Sequence, residues 1–105
     1  MNRAEREYIV KLKQTEPFTG FREPGRDGVE CKVQILGRGE TAFFQRGDRA
    51  LLLEVLAGKG VIFSRSIRRW DDGKVVTDEE REVVVDAVYR ALARLGAKCV
   101  VVVRE

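Results

Sequence analysis

The sequence predicts an α+β domain: an antiparallel β-meander sheet, one long C-terminal helix packed on one face, and a final buried strand. Three observations predict it. Residues 29–35 (VECKVQI) alternate apolar and polar, which is the pattern of a half-buried strand. Residues 77–96 open with Thr77-Asp78-Glu79-Glu80, carry an apolar stripe at helical spacing and stop at Gly96. The KCVVVV run that follows is apolar on both parities, as a strand covered on both faces would be.

Each element follows from local chemistry. Tyr8–Leu12 (YIVKL) reads either as a short strand or as helix, the end of an amphipathic N-terminal turn. From Glu16 to Gly28 both prolines and a cluster of glycines predict a loop. The strand at 29–35 places Val29, Cys31, Val33 and Ile35 on one face, and Gly37–Gly39 (GRG) turns the chain into ETAFFQR. Gly47-Asp48 is a two-residue turn of the Gly-X type, which closes a hairpin onto RALLLEVL. Ala57–Gly60 makes the next turn, and VIFSRSIRRW reads as a further strand. If Val61, Phe63 and Ile67 share its core face, Arg65 and Arg69 point inward with them, so a bend is expected near Ser64–Ser66. Asp71–Lys74 is a turn and Val75-Val76 a short return.

The helix is predicted over Asp78–Leu95. Its acids Asp78, Glu79 and Glu80 suit the positive end of the helix dipole. Val84, Ala87, Val88, Ala91, Leu92 and Leu95 form its apolar stripe. Returning from it, the last strand is expected at the centre of the sheet.

At 105 residues the chain has room for one core, so residues 1–105 form a single domain. Hydrophobic residues make up 44% and charged residues 35%, a balance that folds rather than staying disordered. Twenty basic against 17 acidic residues leave a net charge of +3, well short of the clustered excess of a dedicated duplex-binding domain. The high charge, with one Asn and three Gln, is thermophile-like. NRAERE is charged where a signal peptide would be apolar, and no apolar run approaches a membrane span. The expected location is the cytoplasm.

Catalytic chemistry is hard to build from this inventory. There is no histidine, which removes Ser-His and Cys-His pairings and the commonest metal ligand. Cys31 and Cys99 are expected to be unpaired, reduced and buried. Gly58-Lys59-Gly60 lacks the spacing and the following Ser or Thr of a phosphate loop. Neither an enzymatic activity, a metal nor a cofactor is expected.

What remains is a surface. Arg65, Arg68, Arg69 and Trp70, with Asp71 and Asp72, form the densest basic-aromatic cluster, and Arg46 and Arg49 flank the preceding hairpin turn. Trp and Arg are the residues most enriched at binding hot spots. Arg68 and Trp70 share a strand face, close enough for a cation–π contact. Trp70 has two readings, a lid on the core beside the first helical turn or a contact residue. Arg68 and Arg69 are expected to be exposed.

From Ala42 onward the chain resembles a small family of α+β immunity proteins from bacterial polymorphic toxin systems. The resemblance rests on FQRGDRALLLEVL, then Ser66-Ile67, Trp70-Asp71, the Thr77–Arg81 segment (TDEER) and the helix ending AVYRALARLG. It covers about sixty residues, and its specific part is the Trp-Asp pair ahead of the capping box. The resemblance implies a non-catalytic module that blocks a toxin by binding it, as a monomer or small homo-oligomer. The alternative class is a nucleic-acid-binding domain that stacks bases on Phe43 or Phe44 of an open sheet and neutralises phosphates with arginines.

Overall fold

The computed structural model describes residues 2–25 and 28–104. The alternation at 29–35 becomes strand β2 (Glu30–Leu36), with Cys31 and Val33 fully buried, Ile35 half-buried and Val29 left exposed before the strand starts. β2 pairs antiparallel with β3 (Thr41–Arg46), and β3 with β4 (Arg49–Leu56). In the β3–β4 hairpin Arg46 stands opposite Arg49, and Gly47 adopts φ +59, which favours glycine. A 3₁₀ turn at Ala57–Lys59 leads to β5 (Val61–Phe63), which pairs antiparallel with β4. These strands form the predicted antiparallel meander.

The helix also forms as expected. Helix α2 runs Asp78–Arg94, with Thr77 accepting from the Glu80 N–H while the Glu80 side chain accepts from the Thr77 N–H. Gly96 follows in the left-handed region. Val84, Ala87, Val88, Ala91 and Leu92 are buried, joined by Val85; Leu95 caps the helix and is exposed. The α2 face of the sheet carries the main core, which includes Phe44, Leu51, Leu53, Ile62, Ile67 and Trp70.

Some details differ from the expectation. The final strand β6 (Val101–Val103) is present, but it lies at the sheet edge beside β5, parallel to it, rather than at the centre. An edge strand has one flank open, so β6 is only partly buried and Val101 is 50% exposed. Cys99, just before it, is exposed; only Cys31 is buried.

The segment 16–28 is not all loop. Phe21–Pro24 forms edge strand β1, antiparallel to β2, with Pro24 at its end where no ladder donor is needed. Glu23 is buried on β1, with Oε1 3.0 Å from Arg94 Nε (ion-pair range, outside hydrogen-bond alignment) and Oε2 3.8 Å from Arg90 Nη1. Those two arginines of α2 therefore hold the edge strand, in addition to any interaction with the helix dipole.

Tyr8–Leu12 takes the helical of its two readings, not the strand. It belongs to helix α1 (Arg3–Gln14), capped by Asn2 accepting from the Glu5 N–H. α1 covers part of the sheet face opposite α2, where Ile9 packs with Phe43 and Ala50.

Finally, VIFSRSIRRW is not one strand. β5 ends at Phe63, and Ser64–Ser66 makes a 3₁₀ turn where a bend was expected. The core residue of β5 is Ile62, with Val61 and Phe63 half-buried, and the turn resets the parity so that Ile67 is fully buried. Arg65 and Arg69 are consequently exposed rather than turned inward.

Candidate functional site

The Arg65–Asp72 stretch separates into supports and an exposed rim. Trp70 is 2% exposed: it is the lid reading, not the contact reading, that describes its position. Its ring lies 6.1 Å from that of Phe44, tilted 43°, inside the main core. The cation over it is Arg49, whose guanidinium sits 4.5 Å from the ring centroid; the expected Arg68–Trp70 contact is not made. Arg49 Nη1 also donates to Glu80 Oε2 at 2.7 Å, and its Nε stands 3.7 Å from Asp72 Oδ2. Thus the β3–β4 hairpin turn, the Asp71–Lys74 turn and the start of α2 are clasped around the indole.

Glu80 registers this clasp electrostatically. Its carboxyl is held below the ordinary glutamate value, first by the Thr77 backbone N–H, then by the Trp70 indole and the Arg49 charge, against some burial. The indole N–H approaches that carboxylate without regular hydrogen-bond geometry.

Asp71 and Asp72 are structural. Asp71 Oδ2 accepts from Lys13 Nζ at 2.6 Å, tying α1 to the turn, and Oδ1 accepts from the Ala50 N–H at 3.1 Å. Asp72 Oδ1 accepts from the Lys74 N–H, which closes the turn. Both carboxylates therefore help hold this junction together.

Arg65, Arg68 and Arg69 remain on the surface. Arg68 Nε donates to the Arg65 carbonyl and Arg69 Nη1 to the Gly73 carbonyl, so both side chains are guided by backbone. None of the three forms an ion pair among the described residues. That contrasts with Arg3, Arg22, Arg49, Arg81, Arg90, Arg94 and Arg104, each of which has a carboxylate within 4.0 Å.

The three arginines line an open groove of about 860 Å³. It occupies the part of the sheet face that α1 leaves uncovered, with Leu52 and Phe63 as its apolar lining. Glu5 from α1 and Glu54 from β4 also line it. The Ser66 hydroxyl, accepting from the Glu54 N–H at 2.8 Å, fastens the 3₁₀ turn to β4 beside the groove. Sequence reasoning found the arginines but missed the groove and its acids, because Glu5 and Glu54 come from two other elements.

The aromatic platform expected of a nucleic-acid binder is absent at Phe43 and Phe44. Both are fully buried, Phe44 against the α2 core and Phe43 under α1, so neither ring is available to stack on a base. Among the described residues no group of three His, Cys, Asp or Glu is placed to hold a metal ion, and no helix is long and apolar enough to cross a membrane.

The fold and surface together define an α+β domain with an open, arginine-lined groove. Comparison with protein-family models, curated proteins and solved structures gave no match.

Proposed function

We propose that this chain is a non-catalytic protein-binding module of the immunity type, which neutralises a partner such as a toxin by binding it directly. The observation that carries the reading is the set of three exposed guanidiniums, Arg65, Arg68 and Arg69, without carboxylate partners beside an apolar-lined groove. Unpaired arginines are free to take carboxylates from another molecule in bidentate geometry. Trp70, Asp71 and Asp72 hold that rim in place from beneath and beside it. The absence of histidine from the sequence supports a role without catalysis. In this reading the protein works in the cytoplasm as a monomer or small homo-oligomer, with no cofactor.

Immunity genes lie directly beside the toxins they neutralise, so the test uses the product of the gene immediately upstream. Its expression in a bacterial host is expected to arrest growth, and co-expression of this chain to restore it. The Arg68→Glu, Arg69→Glu variant is expected to remain folded and fail to restore growth. Equal rescue by the variant would remove the arginines from the function.

A further inference from the structure

The groove does not carry one sign of charge. Arg65, Arg68 and Arg69 share it with Glu5 and Glu54, and among the described residues none of the five forms an ion pair, with each other or with anything else. Opposite charges that line one open groove yet stay more than 4.0 Å apart leave each other's hydrogen-bonding capacity unused. They still act on a ligand lying between them, since the screening length at physiological salt is about 8 Å.

Phosphate chains and mixed-charge protein segments respond to such a groove in opposite ways. A nucleic acid brings negative charge at every nucleotide and meets Glu5 and Glu54 as well as the arginines. A protein segment can put carboxylates on the arginines, a basic side chain near the glutamates and an apolar side chain on Leu52 and Phe63. Specificity is a difference of affinities, and repulsive groups supply part of it.

We propose that the groove takes a protein segment of alternating charge with an apolar side chain between the charges, and that Glu5 and Glu54 are its specificity-determining residues against polyanions. The proposal rests on the reading of Arg65, Arg68 and Arg69 as the contact rim. The positions of the glutamates fit selection rather than support. Glu54 lies opposite Thr41 in the β3–β4 ladder, and its side chain makes no hydrogen bond among the described residues. The Glu5 N–H donates to the Asn2 cap, while its carboxylate makes no hydrogen bond or ion pair among the described residues.

The test is an NMR titration at about 150 mM salt, where non-specific nucleic-acid affinity is about micromolar or weaker. Three probes are used: a short synthetic peptide alternating Glu, Leu and Lys, the same peptide with every Lys changed to Glu, and single-stranded oligo-dT. Wild type is expected to bind the mixed peptide about fivefold or more tightly than the all-acidic one, and oligo-dT weakest. Glu5→Gln, Glu54→Gln is expected to lose the preference between peptides and to gain about tenfold toward oligo-dT. Arg68→Glu, Arg69→Glu is expected to lose both peptides.

If the Gln variant ranks the probes as wild type does, the glutamates set no specificity and this inference fails while the arginine rim stands. If the double-Glu variant keeps peptide binding, the rim reading itself fails. If wild type does not bind the mixed peptide at millimolar concentration, or prefers oligo-dT, the proposal is overturned.

Discussion

Arg49 and Trp70 are stacked: the guanidinium lies 4.5 Å from the indole centroid and is held there by Glu80 at 2.7 Å. The pair joins the β3–β4 turn to the start of α2. Arg49→Ala is expected to cost about 1–2 kcal/mol, the sum of a cation–π contact and a partly exposed charged hydrogen bond. Arg49→Lys is expected to recover only part of it, because an ammonium cannot stack and bridge at once. Urea denaturation of the two variants measures both losses.

The capping box gives a pH dependence. Glu80 has its pKa lowered in the folded state, so its contribution is fully present above the ordinary glutamate value of about 4.3 and is lost as pH falls through the lower folded value. Glu80→Gln is expected to lower stability at neutral pH and to narrow its gap to wild type in acid. Thr77→Ala removes the other half of the box and is expected to cost about 1 kcal/mol, roughly 4–8 °C in a domain of this size. Melting curves at neutral and acid pH test both.

Glu23 predicts an asymmetry. Arg90→Ala with Arg94→Ala strands a buried carboxylate, which is expected to cost about 3–5 kcal/mol. Glu23→Gln leaves two arginines that already reach solvent, and is expected to cost clearly less. Equal losses in chemical denaturation would mean that Glu23 is not held by these partners.

The thiols should differ. Burial pushes the Cys31 thiol above its ordinary pKa, while Cys99 is exposed. One thiol is expected to react rapidly with a thiol reagent under native conditions and the other only on unfolding. Two fast thiols would contradict the burial of Cys31 under α2.

How much of this was legible depends on how local each cause is. The capping box, the Gly47-Asp48 hairpin and the Cys31–Ile35 alternation are set by neighbours in sequence, and the sequence predicts them. The exposure of Cys99 and Val101 was not legible, because an apolar run does not say whether its strand lands at the centre or the edge. Helix α1 did leave a signal, Asn2 followed three residues later by Glu5, but its apolar stripe is thin, with Ile9 alone fully buried. Ala42-Phe43-Phe44, apolar on both parities, marked a strand covered on both faces; read that way, it would have ruled out the open aromatic platform. At the site, the arginines stood out as a run. Their supports did not, since Arg49 meets Trp70 and Lys13 meets Asp71 only through the fold.

The proposed role of Arg65, Arg68 and Arg69 is to bind a protein partner rather than to stabilise this fold. Its most direct test is calorimetric titration of the upstream gene product into wild type and into Arg68→Glu, Arg69→Glu at about 150 mM salt, with oligo-dT run in parallel. The account predicts binding by wild type, at least about tenfold weaker binding by the variant from reversal of the local potential, and melting temperatures within a few degrees of each other. Equal affinity of the two proteins for the partner would contradict it, and so would tight, steeply salt-dependent binding of oligo-dT that the variant loses.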